Sequence, residues 1–156
     1  MAFWNRKGEE LGAPVSGEAI ALRDVKDEAF SGELLGKGAA VIPDGTWVVA
    51  PCAGTIDTVF ETGHAVTIRT DGGAQVLIHV GIDTVKLGGK HFSVRCAAGE
   101  RIRRGQLLIE FDREAMEKAG YDTTVVMIAL DSKAAVEAVS GKYVTEGETI
   151  LRIGAR

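Results

Sequence analysis

The sequence predicts an all-β fold, an antiparallel β-sandwich or barrel with one or two short helices. Short runs rich in valine, isoleucine and leucine recur at intervals of roughly 8–12 residues, the spacing of strands in antiparallel sandwiches and barrels. Turn residues separate most of these runs, and the 156-residue chain contains 20 glycines but only 3 prolines. One domain is expected, because this length supports a single core and no linker-like segment interrupts it.

The individual elements follow from the spacing of apolar residues along the chain. Helical spacing appears at 113–119, where Asp112 can cap the first turn and Gly120 ends the helix, and more weakly at 132–139. Strands are predicted at 17–22, 39–42, 47–50, 54–60, 65–70, 74–80, 106–111, 124–129 and 149–153.

The predicted domain covers residues 13–156, and residues 1–12 are expected to be a flexible polar leader. The segment 8–10 is too hydrophilic to belong to a core. Phe3 and Trp4 could anchor the leader to a membrane or a partner, although a frayed terminus is the simpler expectation.

Composition excludes several classes of protein. Hydrophobic residues make up 46% and charged residues 26% of the chain, as in ordinary soluble globular proteins. The net charge of -4 argues against nucleic-acid binding. No apolar run reaches the ~18–20 residues of a membrane helix, and no secretion signal is recognisable. Cys52 and Cys96 form no metal or redox motif and are expected to be small, half-buried apolar residues in a reducing cytoplasm.

Two of the 3 histidines, His64 and His79, bracket a predicted β-hairpin. The pair Asp71-Gly72 between the two strands is the strongest short hairpin signal. With this turn, His64 lies directly opposite His79, and the two Cβ atoms are roughly 4.5–5.5 Å apart on one face. A shift of one residue in the register would put the rings on opposite faces. On one face, paired imidazoles can form a metal site, an acid–base pair or a phosphoryl-transfer centre.

The segments 61–65 (ETGHA) and 77–85 (LIHVGIDTV) resemble the active-site signature of a known family. This is the glucose-type enzyme IIA component of the bacterial phosphoenolpyruvate-dependent sugar phosphotransferase system. Segments 14–18, 25–31, 49–55 and 109–112 extend the resemblance to about residues 13–153. The family fold, an antiparallel β-sandwich, agrees with the predicted strands. The sequence departs from the family at His91, where glycine is typical.

The resemblance implies a phosphoryl relay rather than turnover of a free substrate. His79 would accept a phosphoryl group from the phosphohistidine of HPr and pass it to a cysteine of a IIB domain. His64 would stabilise that group, and the Thr62 hydroxyl would orient His64. A carbonyl near Gly81 would hold the proton on Nδ1 of His79, and backbone N–H groups of the Gly81–Asp83 turn would complete a cradle for the phosphoryl oxygens. Asp83 is assigned to loop positioning and to an arginine of the partner.

Family position also assigns six apolar residues to water exclusion and docking, with ordinary core packing as the alternative for each. They are Phe30, Leu34, Leu35, Phe60, Leu77 and Val85. The expected partners are HPr and the IIB and IIC components of a sugar permease, with peripheral membrane association through that permease, and regulatory partners stay open. The resemblance implies a location in the bacterial cytoplasm and no cofactor beyond the covalent phosphohistidine. Met1 and the polar leader favour a free-standing domain over part of a fused permease.

Two other classes of protein stay open beside the relay. A zinc-dependent hydrolase could use His64 and His79, but a third ligand and a general base in the usual spacing are missing from the sequence. Adventitious zinc on the two rings is compatible with the sequence. A carrier of the lipoyl or biotinyl type, which the glycine spacing at 98–108 resembles, needs a lysine at a hairpin tip, and that segment has none. His91 is expected to be an exposed loop residue outside the site.

Overall fold

The computed structural model describes residues 8–154, which are built mainly from antiparallel strands. The helices are short: α1 (Glu28–Ser31), α2 (Arg113–Lys118), and two 3-10 helices, η1 (Leu22–Asp24) and η2 (Thr84–Leu87). The strands are β1 (Glu9–Gly12), β2 (Gly17–Ile20), β3 (Gly36–Pro43), β4 (Trp47–Val49), β5 (Gly54–Val59), β6 (Ala65–Thr70), β7 (Gln75–Val80), β8 (Phe92–Val94), β9 (Arg101–Ile102), β10 (Leu107–Phe111), β11 (Val125–Leu130), β12 (Val136–Ala138), β13 (Lys142–Val144) and β14 (Thr149–Ile153).

The strands form one large and two small antiparallel sheets. The large sheet has eight strands in the order β13-β2-β3-β11-β7-β6-β5-β9. The small sheets have three strands each, in the orders β1-β14-β12 and β4-β10-β8. The main core combines apolar side chains of all three sheets, so the two small sheets cover one face of the large one. The predicted all-β sandwich is confirmed.

The opposite face of the large sheet carries a second, smaller apolar cluster. Side chains from the η1–α1 segment, among them Leu22, Val25 and Phe30, pack there against Ala65 and Leu77 of the sheet. Side chains along β7 alternate between the two faces: Ile78 and Val80 belong to the main core, whereas Leu77 belongs to the second cluster. This alternation places His79 on the second face, because it is two residues after Leu77.

The predicted leader extends too far along the chain. Glu9–Gly12 form β1, which pairs with β14, and Leu11 is fully buried in the main core. The charges of Glu9 and Glu10 predict a segment outside the core. A strand at the edge of the core, however, needs only one of its two faces to be apolar. Residues 1–7, including Phe3 and Trp4, lie outside the described residues.

The helix predicted at 132–139 is wrong. Val136–Ala138 form strand β12, which pairs with β14 from Val136↔Ile153 to Ala138↔Leu151. Pairing with a neighbouring strand overrides the weak helical spacing here. The helix predicted at 113–119 is confirmed as α2, and the Asp112 carboxylate accepts a hydrogen bond from the Ala115 amide at 3.1 Å. Among residues 8–154, no helix combines the length and the apolar character needed to cross a bilayer.

His91 adopts a backbone conformation that favours glycine, with φ at 77° just before β8. A residue with a β-carbon is destabilised by about 1–2 kcal/mol in the left-handed region. Glycine avoids this strain, but it loses more backbone entropy on folding, so the net difference is smaller. We therefore expect His91→Gly to raise the free energy of unfolding by about 0.5–1 kcal/mol, measured by urea denaturation. Ser93→Gly, at an exposed position within β8, is the control and should lower it; a less stable His91→Gly protein contradicts the prediction.

Candidate active site

The His64 and His79 rings are neighbours, with centroids 4.8 Å apart and planes at 82°. The predicted register is nevertheless wrong, because Ala65 and not His64 lies opposite His79. The turn is a three-residue loop instead of the two-residue turn Asp71-Gly72: the Thr70 amide donates to the Ala74 carbonyl. Gly73 takes the positive φ, at 95°, which is the geometry of a type I turn followed by a left-handed glycine.

The rings meet because His64 lies just outside the regular strand. In this register strict alternation would turn His64 away from His79. The chain instead bends before β6: Gly63 has a φ of 73°, and its amide donates to the Phe60 carbonyl at 2.8 Å. His64 still anchors the hairpin end, since its carbonyl accepts from the Val80 amide at 2.8 Å. Its side chain is 3% exposed and faces His79.

The tautomer of neutral His79 is determined by Gly81. Nδ1 of His79 lies 2.8 Å from the Gly81 carbonyl oxygen, and a carbonyl can only accept a hydrogen bond. Nδ1 therefore carries the proton, and the lone pair of the neutral ring is on Nε2. The predicted role of the carbonyl near Gly81 agrees with this geometry.

Thr62 is hydrogen-bonded to His64. Its Oγ1 lies 2.6 Å from Nδ1 of His64. When the hydroxyl donates, Nδ1 accepts and Nε2 of the neutral ring carries the proton. The two histidines then have opposite tautomers, with a lone pair on Nε2 of His79 and an N–H on Nε2 of His64.

Burial keeps both rings neutral. It lowers the pKa of His64 to about 4, and the neighbouring His79 lowers it further in the same direction. Burial also lowers the pKa of His79, opposed by the hydrogen bond to Gly81 and by the charges of Asp27 and Asp83. Both histidines are therefore available at neutral pH as neutral imidazoles.

Stability should fall as the pH falls through the range between 6.5 and about 4. Native His64 stays neutral there, whereas the unfolded chain takes up a proton, so acid favours the unfolded state. We expect this residue to contribute a loss of roughly 2–3 kcal/mol in the free energy of unfolding. Urea denaturation of wild type and His64→Gln at pH 7 and 4.5 measures it. An equal loss in both proteins contradicts the shifted pKa.

Three aromatic rings surround the pair. Phe30 of α1 contacts His79 edge-on at 5.1 Å between centroids, and Phe60 contacts His64 at 5.5 Å. Phe92 of β8 lies 6.5 Å from His64, and sequence analysis missed it. The sequence gives little indication that Phe92 belongs to the site, because β8 has only three residues and shows no recognisable alternation. Apolar rings on both histidines lower the local polarity and limit the access of water.

The other apolar residues assigned to the site differ in exposure. Leu77 is 6% exposed and packs with Phe30 in the second cluster, so core packing accounts for it. Leu34 and Leu35 follow α1 and are 74% and 39% exposed, and Val85 in η2 is 53% exposed. Phe60 both contacts His64 and reaches the surface. The exposed members are therefore Leu34, Leu35, Phe60 and Val85.

Two of the three amides in the predicted Gly81–Asp83 cradle already have partners within the protein. The Gly81 amide donates to the Thr124 carbonyl and the Ile82 amide to the Asp122 carbonyl, both at 2.9 Å. These two donors are therefore committed to the loop before β11 and cannot bind phosphoryl oxygens. Asp83, with a φ of 60°, is exposed and is the residue immediately before η2, so the loop positioning assigned to it stays a prediction.

The geometry gives a zinc hydrolase no third ligand. Among residues 8–154, no group of three or more histidine, cysteine, aspartate or glutamate side chains is arranged to hold a metal ion. Burial raises the pKa of Cys52 to about 12 and that of Cys96 to about 11, so both thiols stay protonated at neutral pH. His91 is half-buried rather than exposed, and its carbonyl accepts from the Asp112 amide.

Comparison with known proteins identifies the family. Residues 9–135 match the family model of the phosphoenolpyruvate-dependent sugar phosphotransferase system, EIIA 1. The chain is 43% identical over 127 residues to the PTS system beta-glucoside-specific EIIBCA component of Dickeya chrysanthemi, covering 81% of this chain and 20% of that protein. It is 39% identical over 126 residues to the PTS system glucose-specific EIICBA component of Streptococcus pneumoniae, covering 81% of this chain and 17% of that protein.

A solved structure agrees with this assignment. Glucose permease IIA from Mycoplasma capricolum superimposes with a TM-score of 0.84 at 29% identity, covering 93% of this chain and 95% of that one. The chain spans about a fifth of the length of the curated relatives it matches. The chain belongs to the glucose-type enzyme IIA family of the phosphoenolpyruvate-dependent sugar phosphotransferase system.

Proposed function

We propose that the chain accepts a phosphoryl group on Nε2 of His79 from the phosphohistidine of HPr and passes it to a cysteine of a sugar-specific IIB domain. The observation that carries this proposal is the 2.8 Å contact between Nδ1 of His79 and the Gly81 carbonyl. It leaves the lone pair of a neutral imidazole on Nε2, which is the atom that attacks phosphorus.

The transfer exchanges one N–P bond for another. Nε2 of His79 forms a bond to phosphorus while the bond to the donor histidine breaks, and the electron pair of that bond stays on the donor nitrogen. The proton on Nδ1 remains in place and hydrogen-bonded to Gly81. In the second step a cysteine thiolate of the IIB domain attacks phosphorus, and the electron pair of the breaking bond returns to Nε2. Such transition states are loose, so the protein contributes mainly position and charge stabilisation.

His64 supplies charge stabilisation. With the Thr62 hydroxyl donating to Nδ1, its Nε2–H points away from Thr62 as a hydrogen-bond donor for a phosphoryl oxygen. The lowered pKa keeps the His64 ring neutral. A neutral ring needs no anionic partner before the phosphoryl group arrives, so the hydrogen bond to Thr62 is enough to orient its Nε2–H.

The exposed apolar residues support docking of protein partners around the histidines. Leu34, Leu35, Phe60 and Val85 expose apolar surface, and such surface is typical of protein contacts. Asp83 is exposed beside the phosphoryl site, where it would repel phosphate unless an arginine of the incoming partner pairs with it. Both features suit a relay that binds two protein partners in turn.

The names of the relatives support a cellular context for the proposed relay. They are an EIIBCA and an EIICBA component of sugar-specific PTS systems, and we propose that this chain works in the bacterial cytoplasm, next to the membrane through B and C components of a sugar permease. Neither step uses a metal or another cofactor, and the phosphohistidine is the only covalent intermediate. Zinc on the two rings, if it binds, would compete with the phosphoryl group for Nε2.

Reconstitution tests the proposal. The chain is incubated with enzyme I, HPr and phosphoenolpyruvate, and its intact mass is expected to rise by about 80 Da, in a form that acid removes. When the phosphorylated chain is separated from phosphoenolpyruvate, enzyme I and HPr, adding membranes that carry IIBC and a sugar should return its mass to the starting value. A chain that gains no mass with all components active contradicts the proposal.

His64→Gln should separate the two half-reactions. Glutamine still donates a hydrogen bond, so acceptance from HPr should stay within roughly tenfold of wild type. Its amide lacks the ring nitrogen that Thr62 holds, so donation to IIB should fall by roughly a hundredfold. Rapid-quench measurement of both half-reactions tests this. Equal losses in the two steps would refute separate roles for the two rings.

A further inference from the structure

The tautomer of His79 depends on one carbonyl in an unusual turn. Gly81, with a φ of 80°, and Asp83, with a φ of 60°, are both in the left-handed region. Residues with a β-carbon rarely adopt it, so contacts from outside the turn must maintain this backbone at Asp83. The side chain that holds the turn therefore also controls where the Gly81 carbonyl points.

Thr84 makes the contacts that close this turn. Its side chain is fully buried, and its hydroxyl donates a hydrogen bond back to the Val80 carbonyl. Its Cγ2 lies against Gly81 so closely that a β-carbon at position 81 would be 2.4 Å from it. Thr84 thus binds the residue before Gly81 and packs on Gly81 itself.

Two amides of the same turn form hydrogen bonds that do not involve Thr84. The Gly81 and Ile82 amides donate to carbonyls of the loop before β11. That loop is fixed in turn by the Asp122 carboxylate, which accepts from the amide and the hydroxyl of Thr124 at 2.9 and 2.6 Å. With the amides held on one side and the Val80 carbonyl on the other, the Gly81 carbonyl is directed at Nδ1 of His79.

We propose that Thr84 is a positioning residue for phosphoryl transfer: its hydroxyl, bonded to the Val80 carbonyl, keeps the Gly81 carbonyl on Nδ1 of His79 and so keeps the lone pair on Nε2. The inference rests on the proposed function, in which Nε2 of His79 is the nucleophile. Thr84 touches neither the phosphoryl group nor the reacting nitrogen. It acts through the backbone of the turn.

Variants of Thr84 separate the effect of its hydroxyl from the effect of its branched shape. Thr84→Val keeps the branched shape and loses the hydroxyl, Thr84→Ala loses both groups, and Thr84→Ser keeps the hydroxyl as the rescue variant. Thr70→Val is the matched control: Thr70 is a buried threonine at the other end of the β6–β7 hairpin, and its hydroxyl accepts from the Ala74 amide. Thermal unfolding shows which variants are folded.

The ring ¹⁵N chemical shifts of His79 in the unphosphorylated chain report which nitrogen carries the proton. The rate of phosphorylation by HPr is measured as a second readout. In Thr84→Val and Thr84→Ala, we expect a growing share of the tautomer protonated on Nε2 and a phosphorylation rate lower by roughly tenfold to a hundredfold. Thr84→Ser and Thr70→Val should keep the wild-type tautomer and rate.

A wild-type tautomer of His79 in folded Thr84→Val and Thr84→Ala overturns the inference, whatever their rates. A shift as large in Thr70→Val as in Thr84→Val overturns it too, because any lost threonine hydroxyl would then have the same effect. If the wild-type chain takes up no phosphoryl group, the proposed function fails, while the tautomer comparison still decides on Thr84.

Discussion

His79→Ala is expected to abolish phosphoryl acceptance from HPr. The variant removes the nitrogen that the geometry prepares as a nucleophile, the Nε2 of the ring that Gly81 holds. His64 cannot replace it, since its own Nδ1 is bound to Thr62 and its Nε2 carries the proton when Thr62 donates. We expect a rate at least 10³-fold below wild type, measured by intact mass after incubation with enzyme I, HPr and phosphoenolpyruvate.

The matched control is His91→Gly, which also removes a histidine and relieves a left-handed backbone. It should be phosphorylated like wild type. A His79→Ala chain that still gains the phosphoryl mass at the wild-type rate would mean that another residue is the acceptor, with His64 the first to examine.

Gly81→Ala is the second change with a large expected effect. A β-carbon at this position would lie 2.4 Å from Cγ2 of Thr84 and 3.0 Å from the Asp122 carbonyl oxygen, at a φ of 80°. Thr84 is fully buried and cannot move aside without disturbing the turn. Strain of the left-handed backbone and overpacking together should lower the free energy of unfolding by about 2–4 kcal/mol in urea denaturation.

Gly88→Ala separates the two causes. Gly88 also has a positive φ, at 60°, but a β-carbon there would meet no atom within 4 Å. Gly88→Ala should therefore lower the free energy of unfolding only by the net backbone difference, about 0.5–1 kcal/mol, as at His91. Equal losses in the two variants would show that contact with Thr84 does not constrain the turn.

The central strands could be predicted from the sequence because they are long enough to show their pattern. β6, β7 and β11 have six residues each. β8, β9, β12 and β13 have only two or three residues, too few to establish an alternation. They exist because neighbouring strands offer hydrogen-bond partners, which a local pattern does not reveal. The same reason explains why β12 was mistaken for a helix.

The histidine pair was predicted on an incorrect register. A two-residue turn at Asp71-Gly72 and a three-residue loop ending at Gly73 both fit this glycine-rich sequence, and the structure has the second. The rings still meet, because His64 stands outside the strand where the chain bends at Gly63. Local sequence therefore identified the two residues, whereas the bend that brings them together is visible only in three dimensions.

The hydrogen bonds of the Gly81 and Ile82 amides could not be predicted from the sequence. Motif and resemblance place Gly81 beside His79, but they do not say that its amide and that of Ile82 are already used by the loop before β11. These bonds join residues some forty positions apart. Two amides predicted to bind phosphoryl oxygens therefore hold the turn that carries the Gly81 carbonyl.

The atom of His79 that carries the phosphoryl group is the most direct test of the proposed nucleophile. The chain is labelled with ¹⁵N-histidine, phosphorylated by enzyme I, HPr and phosphoenolpyruvate, and examined by ¹⁵N and ³¹P NMR. We expect one phosphohistidine, with phosphorus coupled to Nε2 of His79 and a protonated Nδ1. Phosphorus on Nδ1 of His79, or on either nitrogen of His64, would contradict the assignment of the nucleophile.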